Sequence, residues 1–120
     1  MHRALVAVAL AGCAPHTPWG RAVLAPAASA ERVIEVDVTP DGFEPKHFLV
    51  QSGESLTFLV TRRVEHTCVT SVVLSLDVDS RIERELPLDE PVPITVRFEA
   101  PGELGMSCPM NMYGATIQIR

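Results

Sequence analysis

The sequence predicts an all-β fold, a sandwich or barrel of about seven or eight short strands. Three observations carry that expectation. Apolar and polar residues alternate with period two over most of the chain, turn signals separate the alternating runs, and ten prolines in 120 residues leave no room for long helices. The length suits one domain and a targeting segment. The formal net charge of −5, without any basic run, argues against a nucleic-acid partner, because phosphate binding depends on clustered Lys and Arg.

At the N-terminus, Met1-His2-Arg3 is a short basic start and Ala4 to Gly12 an apolar run too short to span a bilayer. The run ends in Leu10-Ala11-Gly12-Cys13, which resembles the lipobox of bacterial lipoproteins. That resemblance implies a signal peptide over residues 1–12, diacylation of Cys13, and a periplasmic or cell-surface protein held to a membrane by lipid. Ala28-Ser29-Ala30 before Glu31 is a competing cleavage site that would release a soluble chain. Residues 13–31, rich in Ala and Pro and without either period, read as a flexible linker, and the domain is expected over 32–120.

Within the domain, Ile34, Val36 and Val38 alternate with Glu35 and Asp37. Leu56, Phe58 and Val60 alternate with Thr57 and Thr61, Ile94, Val96 and Phe98 with Thr95 and Arg97, and Ile117 and Ile119 with Gln118. Lys46–Gln51 and Val69–Leu76 are further strands, and the polar stretch around Glu83, Arg84 and Glu85 is a solvated one. Pro40-Asp41-Gly42, Ser52-Gly53-Glu54, the segment from Pro87 to Pro91 and Pro101-Gly102 mark turns.

Every methionine after the initiator falls between Met106 and Met112, with Cys108 among them. Met106, Cys108, Met110 and Met112 share even parity, so an extended chain places four sulfurs on one face. Pro109 removes a ladder donor and ends the sheet there. A Met stripe more often fills a core, yet the other strands fill theirs with Val, Ile, Leu and Phe. Thiolate and thioether are soft donors that select copper, Cu(I) above all, whereas hard cations want oxygen cages. Glu65-His66-Thr67-Cys68 is a second contribution, with His66 either a ligand or a solvated residue. Cys68 is either a copper ligand or the partner of Cys108 in a disulfide, since two thiols remain once Cys13 is lipidated. No Ser-His-Asp pattern, phosphate-cradling glycine loop or H-E-x-x-H motif supports an enzyme.

The run from Asp41 to Pro45, then Gly53, Arg62 and Cys68, and finally Cys108-Pro109-Met110-Asn111-Met112 resembles a bacterial cupredoxin-like domain over about residues 33–120. The resemblance implies a Greek-key β-sandwich of cupredoxin type. It places a copper site at one end, between the 64–70 loop and the Cys108 loop, and implies periplasmic copper handling or electron transfer. The chain departs from a blue-copper centre, which takes two imidazoles, a thiolate and an axial thioether. Only His47 and His66 lie in the domain and none follows Cys108. The expected metal site is therefore Cys68, Cys108, Met110 and Met112, with His66 as a further donor. Three functions follow: a monomeric Cu(I) trafficking, delivery or tolerance protein serving a copper-handling or redox membrane protein, an electron carrier cycling Cu(I) and Cu(II), or a structural sandwich closed by a Cys68–Cys108 disulfide.

Overall fold

A strand with one apolar face is stable only when another layer covers that face, and here two five-stranded sheets cover one another. The structure, a computed structural model, describes residues 19–120. The expected signal segment 1–12 and Cys13 lie outside the described residues. The strands are β1 (Arg21–Leu24), β2 (Arg32–Thr39), β3 (Gly42–Glu44), β4 (His47–Val50), β5 (Ser55–Arg62), β6 (Ser71–Ser75), β7 (Arg81–Glu85), β8 (Val92–Ala100), β9 (Gly102–Ser107) and β10 (Gly114–Ile119). One sheet runs in the order β1-β8-β5-β2-β3 and the other β4-β10-β9-β6-β7. The β2–β5 and β4–β10 pairs are parallel and the rest antiparallel.

The apolar set of the alternation fills the space between the sheets. Val36, Val38, Leu56, Phe58, Val60, Ile94, Val96, Phe98, Ile117 and Ile119 are all buried. Phe58 sits edge-on to Phe48 and Phe98, with ring centroids 5.3 and 6.4 Å away, an arrangement favoured by the ring quadrupoles. Thr57 and Thr95, of opposite parity, are buried as well and share a 2.7 Å hydroxyl hydrogen bond. A short 3₁₀ helix (Ala27–Ser29) packs on β5, and the Ala25 N–H donates to the Thr95 carbonyl, so the N-terminal segment lies along this part of the sheet.

Among the described residues ten strands stand where seven or eight were expected, and the two additions, β1 and β3, are the edges of one sheet. The linker expected over 13–31 does not extend unbroken to Glu31. Arg21–Leu24 pairs antiparallel with β8, Ala22 is buried, and its N–H donates to the Leu76 carbonyl at 2.7 Å. A four-residue edge strand has too few positions to show a period, which is why the alternation missed it. The three-residue β3 is shorter still and begins on the last residue of a turn signal, Gly42.

Candidate metal centre

Register brings the two cysteine segments together. β6 pairs antiparallel with β9, Val73 opposite Ser107 and Leu74 opposite Met106. The segment entering β6 therefore lies beside the segment leaving β9. Cys68 is on the first and Cys108 on the second, and the Cys68 side chain is among the groups that lower the Cys108 pKa. Both cysteines are free thiols rather than a disulfide.

Cys108 closes β9 and is 1% exposed. The chain turns back immediately after it. The Asn111 N–H donates to the Cys108 carbonyl at 2.9 Å, and Asn111 takes a left-handed conformation (φ 57°) that Asn tolerates better than most residues. The turn wraps backbone donors round the sulfur, with the Met112 N–H at 3.1 Å and the Tyr113 N–H at 3.4 Å from Sγ. Burial alone would push the thiol pKa up. The N–H groups of Tyr113, Met112 and Met110 and the Cys68 thiol outweigh it, holding Cys108 below the ordinary thiol value.

The four-sulfur face does not survive this turn. Met106 is fully buried beside the core, while Met110 and Met112 are 71% and 66% exposed. Parity holds only while the backbone stays extended, and the left-handed Asn111 ends that. The two thioethers thus lie on the loop round Cys108 with their side chains open to solvent. His66 is exposed, two residues before Cys68, and among the described residues no hydrogen bond or ion pair fixes it. His47 is exposed on the edge strand β4, level with Thr116. Among the described residues, no group of three or more His, Cys, Asp or Glu side chains is placed to hold a metal ion.

Two supporting residues carry no sequence signal of their role. Tyr113 packs on Gly42 so closely that a Cβ there would fall 2.8 Å from the Tyr113 ring, which seats the far end of the Cys108 loop on the β2–β3 turn. Arg62 ends β5 and sends its guanidinium into the segment that carries Cys68.

The Cupredoxin-like domain family model matches residues 2–119. The chain belongs to this family. Solved structures agree on the fold of this cupredoxin-like chain. A copper binding protein in its apo form is 20% identical, with a TM-score of 0.65 over 83% of this chain and 95% of that one. The metal binding domain of the Streptococcus pneumoniae Cu(I) exporting P-type ATPase CopA, with Cu(I), is 17% identical, with a TM-score of 0.64 over 81% and 92%. An amicyanin variant in its Cu(I) form is 14% identical, with a TM-score of 0.58 over 83% and 99%. No curated protein matches the chain.

Proposed function

We propose that this cupredoxin-like chain is an extracytoplasmic Cu(I)-binding protein for trafficking, delivery or tolerance. Cys68 and Cys108 are its thiolate donors and Met110 and Met112 its thioether donors. The observation that carries the reading is the Cys108 sulfur, buried yet surrounded by N–H donors and a second thiol. A sulfur so surrounded is poised as a thiolate, and thiolate with thioether is a donor set that copper matches and hard cations do not. Bound copper supplies a soft, redox-active centre. The chain favours the Cys108 thiolate, brings the Cys68 segment beside it and leaves both methionines exposed where an incoming ion or partner can reach them. His66, two positions before Cys68, is the imidazole closest in sequence to these thiols. The solved neighbours described as copper binding or in a Cu(I) form support the ion. Electron transfer through the same sulfurs is the second reading, favoured by amicyanin neighbours in both reduced and oxidised forms.

The location belongs to the same proposal, with Cys13 lipidated and the domain held at a membrane. The buried Ala22 supports it against cleavage after Ala30, because that cut would strip β1 from its sheet. Mass spectrometry of the mature chain reads Cys13 directly, and an unmodified chain starting at Glu31 would overturn the anchor.

Cu(I) titration against a chelator tests the site. Wild type should bind one ion per chain, Cys108→Ser and Cys68→Ser should lose stoichiometric binding, and Met110→Leu/Met112→Leu should weaken it. The same titration of His66→Ala decides whether the imidazole contributes. If Cys108→Ser binds as wild type does, the sulfur site is wrong.

A further inference from the structure

We propose that Arg62 is a positioning residue that holds Cys68 against Cys108 before any metal arrives. The inference rests on the reading that these two thiols hold copper. The segment between β5 and β6 has no regular structure, and among the described residues the backbone groups of 64–68 make no backbone–backbone hydrogen bond. Besides the Val69 N–H, which donates to Thr67 Oγ1 at 3.1 Å, a guanidinium ties this stretch to the body. Arg62 Nη1 donates to the Val64 carbonyl at 2.9 Å and to the Glu65 carbonyl at 3.0 Å, while its Nε donates to the Leu86 carbonyl at 2.7 Å. Leu86 is itself buried, and its N–H donates to the Thr70 carbonyl at 2.9 Å, closing the far end of the same segment. Val69 is fully buried directly after Cys68. Cys68 is thus suspended between a charged clamp on one side and a core residue on the other.

The donors of a planar guanidinium suit this task because they can face carbonyls on two sides at once. An ammonium offers its three donors from a single atom, without the fixed spread between Nε and Nη1 that reaches Leu86 and Val64 here. Arg62 touches neither sulfur, so its effect is on where Cys68 stands. Outer-shell residues that orient ligands typically change metal affinity 10–100-fold when removed.

Arsenite reads the juxtaposition without copper, since As(OH)₃ forms two As–S bonds with paired thiols and releases two waters. Metal-free full chain, arsenite capture by mass spectrometry and Cu(I) affinity would be compared for wild type, Arg62→Gln, Arg62→Lys and Arg63→Gln, well below each melting point. Arg63 pairs instead with Asp37 at 3.1 Å and controls for the loss of one positive charge. Arg62→Gln should bind both arsenite and Cu(I) about tenfold more weakly, Arg62→Lys should fall between it and wild type, and Arg63→Gln should match wild type. Wild-type binding of both probes by the folded Arg62 variants would overturn the proposal. Failure of both variants to fold would also overturn it, making Arg62 a structural residue. Should wild type capture arsenite and bind no Cu(I), the copper reading fails while the positioning role stands or falls on the arsenite series alone.

Discussion

The chemistry of this molecule turns on one sulfur. Cys108 is buried, and burial by itself favours the neutral thiol. Here the turn that begins at Cys108 offsets that cost by aiming successive N–H groups at Sγ, and the Cys68 thiol adds one more donor. The arrangement belongs to the loop geometry, so it exists in metal-free protein. A ¹³C NMR titration of the Cys108 Cβ should show a transition below the ordinary thiol value of about 8.5. Removing one donor in Cys68→Ala should move that transition upward. The linked stability has a definite sign. A group whose folded pKa is lowered contributes fully above its unfolded pKa, and that contribution is lost as pH falls through the folded one. Metal-free protein should therefore lose this increment as pH falls from above about 8.5 through the lowered folded value. A titration at or above 8.5 would mean that the N–H groups do not hold the thiolate.

At the scale of elements, strands with long alternating runs were legible because each apolar residue had a face to fill. Val36, Phe58, Val96 and Ile117 are all buried where period two put them. The end of the sheet before Pro109 was legible for the same kind of reason, since the ring offers no ladder donor and β9 stops at Ser107. The short edges β1 and β3 carried no period to read. Within the candidate site, the clustering of sulfur in the sequence marked the right loop, but the exposure of Met110 and Met112 was set by a left-handed residue, which parity does not see. The seat of that loop was equally hidden, because it joins positions far apart in the chain. Gly42 has a φ of 103° and lies against Tyr113. An alanine there would meet both a backbone conformation that side chains disfavour and a ring 2.8 Å from its Cβ. Gly42→Ala should lower stability by about 1–3 kcal/mol and loosen the Cys108 loop, visible as a lower melting temperature and faster exchange of the Met112 and Tyr113 amides. Unchanged melting and exchange would show that Tyr113 does not anchor the loop.

For the molecule as a whole, the N-terminal segment does more than lead into the domain. β1 lies at the edge of one sheet, yet the Ala22 N–H donates to Leu76 and the Gly20 N–H to Glu103, both in the other half of the sandwich. Trp19-Gly20 passes so close over Gly102 that a Cβ there would fall 2.5 Å from the Gly20 nitrogen. Gly102 opens β9 and Cys108 follows its end, so six strand residues, at roughly 3.3 Å each, separate this entry from the sulfur site. The chain enters at one pole and presents its sulfurs at the other. A chain beginning at Glu31 should lose these ties. Three of them, from Gly20, Ala22 and Ala25, are hydrogen bonds outside the β1–β8 ladder. At about 1 kcal/mol net for each, the loss should be on the order of 2–4 kcal/mol with the β1 ladder partly counted. For a domain of this size that corresponds to a melting temperature lower by about 10 °C or more. Because the cut lies at the opposite pole, Cu(I) affinity measured well below the melting point should stay near that of the full chain. Melting curves and Cu(I) titration of the two chains test both halves. Equal melting would show that β1 is dispensable, and a large loss of Cu(I) affinity would show that the two poles are coupled through β9.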